Sequence, residues 1–239
     1  MIDLRNITTH ELGKAVRTVF ETPADRGVLY GHRRFIKGQT GKCINNFSSQ
    51  KNKAIMQCES KLEHDNCLHL EFEKNVVAYR VQTFRLQIGN NESYTPDSIH
   101  LNHLGLPFVR EVKIESKLAD RILCDRLSRI HHIFQEQAVD FEVVTEKTLQ
   151  SSPLISNLKY LYRASHIEFK SFQIQLAVDI LKSMGKSVFL REFRTELTDK
   201  GLHPIIAEKI LFMQLAEFNQ TKLITPDSMV WAKGVQHDG

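Results

Sequence analysis

The chain has 239 residues, of which 41% are hydrophobic and 25% are charged, and its formal net charge is +4. This composition is typical of a folded globular protein, and the length suffices for one large domain or two small ones. No apolar run approaches the roughly 18 residues of a membrane span, and the polar N-terminus lacks a signal-peptide core. We therefore expect a cytoplasmic protein with no membrane partner.

The first distinctive segment runs from Arg26 to Cys58 and contains no acidic residue. It is rich in lysine and arginine with aromatic residues between them, a composition suited to contacts with DNA phosphates. A solvated surface loop is the alternative interpretation. The predicted DNA-binding residues are Arg33, Arg34, Lys37, Lys42, Lys51 and Lys53.

The next segment, Ile55 to Leu70, predicts an imperfect amphipathic helix. Glu59 and Glu63, four residues apart, would share one face of this helix, so either glutamate could serve a site there. The region from Val76 to Ile88 then predicts one long strand or two strands, because it is rich in Val, Tyr and Phe and its second half alternates.

Two further strands are predicted, from Asp97 to Leu101 and from Phe108 to Ile114. Glu111 and Lys113 are two residues apart on the second of them, so they should project from the same face. Helical spacing from Ser116 to Gln137 and a strand from Val139 to Val144 complete the series. A strand, a long helix and a strand form a crossover unit, which predicts an α/β fold with a partly parallel sheet.

Ser151-Ser152-Pro153 marks a domain boundary, which gives predicted domains at 1–150 and 151–239. The second domain should be mainly helical, with a short strand pair within Leu223 to Trp231. Three helices with a terminal hairpin predict a winged helix-turn-helix. The predicted helices are Leu154–Ala164, Phe169–Met184, Val188–Leu197 and Pro204–Phe218.

The candidate recognition helix of that domain, Pro204 to Met213, contains one lysine and much apolar surface. Contacts with bases and phosphates need Arg, Lys, Asn or Gln. This composition favours a protein-binding or structural role for the second domain over DNA reading.

Hydrolysis of a phosphodiester needs a metal ion that offsets phosphate charge and a group that positions the attacking water. Mg²⁺ prefers oxygen ligands, and Mn²⁺ should substitute for it. Asp97 and Glu111 are the predicted core ligands, with Glu63 and the backbone carbonyl of Val112 completing the metal site. Lys113 would orient the water and contact the phosphate. A salt bridge on a surface strand is the alternative interpretation of these charges.

Pro96-Asp97 followed by Glu111-Val112-Lys113 resembles the P-D…(D/E)-x-K signature of a large nuclease superfamily with a restriction-endonuclease-like core. Several neighbouring segments extend the resemblance to TnsA, the endonuclease subunit of heteromeric cut-and-paste transposases. These segments are Ser60-Lys61-Leu62-Glu63, Leu68 to Glu73, Tyr79 to Gln82 and Tyr94 to Asp97. One departure is Thr83, where that family often has proline.

The TnsA resemblance implies cleavage of the 5′ ends of a transposon, with catalytic residues Glu63, Asp97, Glu111 and Lys113 and Mg²⁺ as cofactor. It also implies three partners: double-stranded DNA, a TnsB-like transposase subunit of the DDE type, and a TnsC-like AAA+ ATPase regulator. The helical domain is the expected docking site for the regulator.

Two other functions are compatible with the sequence. One is a different nuclease of the same superfamily, such as a restriction or junction-resolving enzyme, which would use the same site residues. The other is a non-catalytic adaptor with a decayed nuclease fold. Retention of all four charged site residues argues against the adaptor, because grouping three carboxylates without a metal costs free energy.

Overall fold

The computed structural model describes residues 3–32, 45–89 and 91–234, and within these ranges the chain is a mixed α/β protein, as predicted. It divides into two compact units, Met1–Gln150 and Ser151–Gly239. The division falls at the Ser151-Ser152-Pro153 signal. Within the described ranges, none of the helices has the length and apolar character that a membrane crossing requires.

The first unit is built around a central sheet with the strand order β4-β7-β8-β9. Its elements in chain order are α1 (Leu12–Glu21), β1 (Val28–Leu29), β2 (Asn45–Ser49), β3 (Ala54–Cys58), α2 (Lys61–Phe72), β4 (Val76–Val81), β5 (Leu86–Gly89), β6 (Glu92–Tyr94), β7 (Ser98–Asn102), β8 (Pro107–Lys113), α3 (Arg121–Glu136), β9 (Asp140–Thr145) and α4 (Glu146–Leu149). β8 and β9 are parallel, whereas the other neighbouring strands of the sheet are antiparallel. The predicted crossover is therefore confirmed, with α3 as the long connection that parallel strands need.

One face of the central sheet is apolar and carries the main core of the unit. Ile99 of β7 and Val109 of β8 pack there with Ile130 and Phe134 of α3, and with apolar residues of α1. All four of these side chains are fully buried. Because successive residues of a strand point to opposite faces, Glu111 and Lys113 lie on the same side of β8 as Val109.

The opposite face of the sheet is polar and is covered by α2. Asn66 of α2 donates a hydrogen bond from Nδ2 to Ser98 Oγ at 3.0 Å and accepts one from Arg110 Nη1 at 3.3 Å. Tyr79 of β4 donates from its hydroxyl to Glu71 Oε1 of α2 at 2.8 Å. These hydrogen bonds cross the helix–sheet boundary and fix the position of α2 along the strands.

The predicted helix from Ile55 to Leu70 is wrong over its first residues. Ala54–Cys58 forms β3, which pairs with β2 on one side and β1 on the other, and its side chains alternate between buried and more exposed. α2 starts at Lys61, after Ser60, whose hydroxyl oxygen accepts a hydrogen bond from the Glu63 backbone N–H at 3.1 Å. Glu59 therefore precedes the helix and does not share a helical face with Glu63.

The second unit contains helices and a small antiparallel sheet with the order β10-β12-β11. Its elements are α5 (Leu154–Ser165), α6 (Ser171–Ser183), β10 (Val188–Phe189), α7 (Leu190–Asp199), α8 (Ile206–Phe212), β11 (Ala216–Phe218) and β12 (Met229–Ala232). α5 packs against α8. The unit is mainly helical, as predicted.

Two sequence predictions for the second unit are wrong in detail. The helix expected from Pro204 to Phe218 ends at Phe212, because Gln214 adopts a left-handed backbone conformation with φ of 53° and the chain continues into β11. Of the strand pair expected within Leu223 to Trp231, only β12 forms, and its partners are β11 and β10. A helix C-terminus closed by a non-glycine residue carries little sequence signal.

Candidate active site

Adjacent strands bring the predicted site residues to one end of the central sheet. Ser98, the first residue of β7, pairs with Arg110 of β8, so Asp97 lies opposite Glu111. Lys113 follows two residues later on the same side of β8. The structure thus brings together Asp97, Glu111 and Lys113, and the strand pairing supplies the reason.

Hydrogen bonds hold the two carboxylates in place. The Val112 backbone N–H donates to Asp97 Oδ2 at 2.8 Å, and the Tyr94 hydroxyl donates to Glu111 Oε2 at 2.6 Å. The Lys113 ammonium donates to Glu111 Oε1 and lies 3.6 Å from Asp97 Oδ2. One ammonium group therefore forms ion pairs with both carboxylates.

Burial makes the site electrostatically unfavourable for negative charge. The Asp97 side chain is 20% exposed and that of Glu111 is 6% exposed. Burial, together with repulsion from Glu111, raises the pKa of Asp97 to about 7, although Lys113 and the Val112 N–H act in the opposite direction. Burial would lower the pKa of Lys113, but the two carboxylates outweigh it and the pKa is raised, so the lysine is a cation at neutral pH.

Glu63, the fourth predicted residue, lies next to this group at the start of α2. Its Oε2 accepts hydrogen bonds from the Glu59 backbone N–H at 3.0 Å and from Gln82 Nε2 at 3.2 Å, while its Oε1 accepts from the Ser60 hydroxyl at 3.0 Å. Burial raises the pKa of Glu63 in spite of these donors. The negative charge of Glu63 also contributes to the raised pKa of Asp97, which places the two carboxylates within electrostatic range.

The oxygen-rich donor set suits a hard divalent cation better than a soft one. In the described residues, no three His, Cys, Asp or Glu side chains are grouped closely enough to hold a metal ion. Asp97 and Glu111 meet, whereas the Glu63 carboxylate is engaged by the first turn of its own helix and by Gln82. A divalent cation between Asp97 and Glu111 would offset the repulsion that raises the pKa of Asp97, and carboxylate oxygens are ligands that such ions prefer.

The Val112 carbonyl, predicted as a backbone ligand, accepts a hydrogen bond from Lys113 Nζ at 3.2 Å. Its carbonyl oxygen therefore lies beside the ammonium group that also contacts Glu111. Because the Val112 N–H holds Asp97, this one residue contacts both Asp97 and Lys113 through its backbone.

Of the predicted DNA-binding residues, Lys51 and Lys53 lie within the described residues, whereas four others lie outside them: Arg33, Arg34, Lys37 and Lys42. The Lys51 ammonium donates to the carbonyl oxygens of Leu70 at 2.7 Å and Glu73 at 2.5 Å, at the end of α2. Burial lowers the pKa of Lys51 to about 8. Lys53 is exposed in the turn between β2 and β3. Lys51 thus has a structural contact, whereas Lys53 is accessible to solvent.

Sequence reasoning did not assign roles to Gln82 and Tyr94, which contact the carboxylates. Both occur within the segments quoted for the TnsA resemblance, but nothing in their local pattern shows that they reach Glu63 and Glu111. Gln82 lies inside the predicted strand segment Val76 to Ile88, and Tyr94 lies in the stretch between it and the next predicted strand, so neither position indicated a contact with the site.

Neither the family models nor the curated proteins provide a match to this chain. The functional argument therefore depends on the geometry of the carboxylates and lysine. One buried and one half-buried carboxylate lie beside a half-buried lysine, which groups oxygen ligands suited to a divalent cation next to a positive charge.

Proposed function

We propose that this chain is a magnesium-dependent DNA endonuclease. The observation that supports it best is the convergence of Asp97 and Glu111 around the Lys113 ammonium at the end of two paired strands. Glu111 is buried and Asp97 is half-buried, so the repulsion between them lowers the stability of the folded chain beyond what the single lysine offsets. A site retained at that cost is a candidate for function rather than for stability.

Each residue has a specific task in this proposal. Asp97 and Glu111, with Glu63 and the Val112 carbonyl, hold the ion, and Mn²⁺ substitutes for Mg²⁺. The ion offsets charge on the scissile phosphate when it is bound. Lys113 contacts a phosphate oxygen and, through its positive charge, favours deprotonation of the attacking water. The expected products carry a 5′-phosphate and a 3′-hydroxyl.

The topology of the first unit supports a restriction-endonuclease-like core as part of this proposal. The motif residues lie on adjacent central strands, β7 and β8, with helices on both faces of the sheet and Glu63 on the preceding helix. The parallel β8-α3-β9 connection follows the motif directly. This arrangement places the P-D…(D/E)-x-K residues together at one sheet end, as metal-dependent cleavage requires.

We further propose that the nuclease acts as a TnsA-like subunit that cuts transposon 5′ ends beside a TnsB-like DDE transposase, under a TnsC-like AAA+ ATPase. This assignment depends on the sequence resemblance. The basic segment that precedes α2 is the proposed DNA contact, and Lys53 is the exposed member of its predicted DNA-binding residues within the described part of the chain.

We propose that the second unit is a winged helix that acts as a docking module. The order α6, β10, α7, α8, β11, β12, with β10 paired to β12, supports this proposal. α8 buries most of its residues within the unit, which leaves little surface for reading DNA. Phe172 and Leu176, one turn apart on α6, are 63% and 41% exposed and suit contact with a protein partner.

Titration calorimetry of Mn²⁺ into the full chain tests the metal site without requiring a transposase partner. We expect one saturable site in the wild type that Asp97→Ala removes. Asp140→Ala, at the exposed start of β9, is the matched control and should bind Mn²⁺ like the wild type. Absence of saturable binding in the wild type, or equal binding in Asp97→Ala, would contradict the proposal.

Cleavage is tested on linear DNA that carries transposon ends, with Mg²⁺ present and the partner transposase added. We expect strand cleavage by the wild type and none by Lys113→Ala, with a 5′-phosphate on the product. Cleavage of branched DNA without any partner would instead indicate a junction-resolving enzyme with the same site.

A further inference from the structure

Gln82, which immediately follows β4, connects Glu63 with Asp97. Its backbone N–H donates to the Asp97 carbonyl oxygen at 3.1 Å, and its side-chain Nε2 donates to Glu63 Oε2 at 3.2 Å. The residue is 5% exposed. Since Asp97 immediately precedes β7 and Glu63 lies in the first turn of α2, Gln82 joins the two elements that position these carboxylates.

The Gln82 carbonyl also anchors His32, which lies within the basic segment from Arg26 to Cys58. It accepts hydrogen bonds from the His32 backbone N–H at 2.8 Å and from His32 Nδ1 at 2.9 Å. A Cβ atom at Gly31 would lie 2.7 Å from this carbonyl oxygen, so only glycine fits there. Gln82 therefore holds the residues directly before Arg33 and Arg34 against the carboxylate site.

Stability alone gives no reason for glutamine at position 82. Its backbone is left-handed with φ of 46°, a conformation that glycine or asparagine adopts more easily. Its side-chain Oε1 is buried with no hydrogen-bond partner among the described residues. Both features cost free energy of folding. The hydrogen bond that the side-chain amide donates to Glu63 gives a reason for glutamine at this position.

We propose that Gln82 is a positioning residue that holds the Glu63 carboxylate beside Asp97, so that the helix and the strand together present their oxygens to the divalent cation. This inference rests on the proposed metal-dependent nuclease function. Gln82 contacts neither the ion nor DNA in this scheme, and it acts through Glu63. Removing its amide should weaken ion binding without removing any ligand.

The test compares Gln82→Met with Gln57→Met in calorimetric titrations of Mn²⁺ alone into the full chain. Methionine has similar length and no hydrogen-bonding amide. Gln57 is the matched control, because it also has a buried Oε1 without a partner among the described residues but lies in β3. Gln82→Asn is a second variant that tolerates a left-handed backbone but is one methylene too short to reach Glu63 in the same way.

We expect Gln82→Met and Gln82→Asn to bind Mn²⁺ roughly 10- to 100-fold more weakly than the wild type, and Gln57→Met to bind it normally. If both Gln82 variants bind Mn²⁺ like the wild type while Asp97→Ala does not bind it, the positioning role is overturned and the proposed function stands. Absence of wild-type binding overturns the metal site itself.

A second measurement tests the Gln82–Glu63 connection without any metal. Urea unfolding midpoints are compared for Gln82→Met, Glu63→Ala and the double variant. Coupled residues give non-additive changes, so we expect the midpoint shift of the double variant to differ from the sum of the two single shifts. Additive shifts would show that the amide does not hold Glu63 and would overturn the inference independently of ion binding.

Discussion

Strand β8 carries two neighbouring charged residues, Arg110 and Glu111, that face opposite sides of the central sheet. Each belongs to a cluster of one cation and two carboxylates. Arg110 donates to both oxygens of Glu73, at 2.8 and 2.9 Å, and to Glu142 at 2.6 Å. Lys113 donates to Glu111 and lies 3.6 Å from Asp97. The formal charges of the two clusters are identical.

Solvent exposure separates these two clusters. Glu73 and Glu142 are 35% and 45% exposed, so water also stabilises their negative charges. Asp97 and Glu111 are only 20% and 6% exposed. Hydrogen bonds from Arg110 and contact with solvent therefore stabilise the carboxylates of the Arg110 cluster. In the Asp97 cluster, the two carboxylates repel each other with less water to screen their charges. Burial of the carboxylates, and not the number of charges, therefore distinguishes the candidate site from the structural ion pairs of Arg110.

The largest expected effect is on catalysis. In the proposed nuclease, Lys113→Met should lower the rate of metal-dependent DNA cleavage by roughly 10²- to 10⁴-fold, because it removes the cation that we propose contacts phosphate and water. Cleavage is measured with labelled DNA under single-turnover conditions. Lys147→Met, which removes an exposed ion pair with Glu115, is the matched control and should leave the rate unchanged. Equal rates in both variants would remove Lys113 from the site.

The next largest effect is expected on stability, at the Arg110 cluster. Arg110→Met should lower the free energy of unfolding by about 2 to 4 kcal/mol, because it leaves Glu73 and Glu142 without their cation and Asn66 without a donor. Arg126→Met is the control, since Arg126 pairs with Glu92 at the surface and should contribute less than about 1 kcal/mol. Urea unfolding measures both. Similar losses in the two variants would make Arg110 an ordinary surface residue.

A smaller effect is expected on the pH dependence of stability, through Asp97. In the folded chain the pKa of Asp97 is about 7, above its ordinary value of 3.8. The folded chain therefore keeps a proton that the unfolded chain releases, and stability is lost as pH rises from about 4 to about 7. Asp97→Asn has no proton to lose, so its stability relative to the wild type should rise by on the order of 1 to 3 kcal/mol over this range.

Urea unfolding at several pH values, without divalent cations, measures this difference. Asp140→Asn, at an exposed aspartate, should follow the wild type at every pH. Addition of Mn²⁺ to the wild type at pH 8 should recover much of the difference. Parallel pH profiles for the wild type and Asp97→Asn would show that Asp97 is not under electrostatic stress.

The smallest effect is at Tyr94. Burial and the neighbouring Glu111 raise the pKa of Tyr94, so its hydroxyl remains a donor. Tyr94→Phe removes the 2.6 Å hydrogen bond to Glu111 and should cost about 1 kcal/mol of stability at pH 8. Thermal unfolding measures it, and an unchanged midpoint would show that Glu111 does not depend on this donor.

Strand alternation and helical spacing were enough to predict much of the first unit. The strands β7 and β8, the helix α3 and the parallel return to β9 all follow from residues whose apolar pattern extends over a whole element. The side-by-side placement of Glu111 and Lys113 followed from the period of two along a strand. Short segments were less predictable. β3 was read as the start of a helix, because five residues cannot distinguish the two periods.

The residue types at the candidate site, their spacing along β8 and the likeness of the surrounding segments to a nuclease family were all available from local sequence. The pairing of β7 with β8 that places Asp97 opposite Glu111 was not available, nor was the burial that raises the pKa of Asp97. Gln82, which joins Glu63 to Asp97, also escaped local reasoning. These features depend on contacts between residues distant in the chain, and their energies arise only when packing removes water from around the charges.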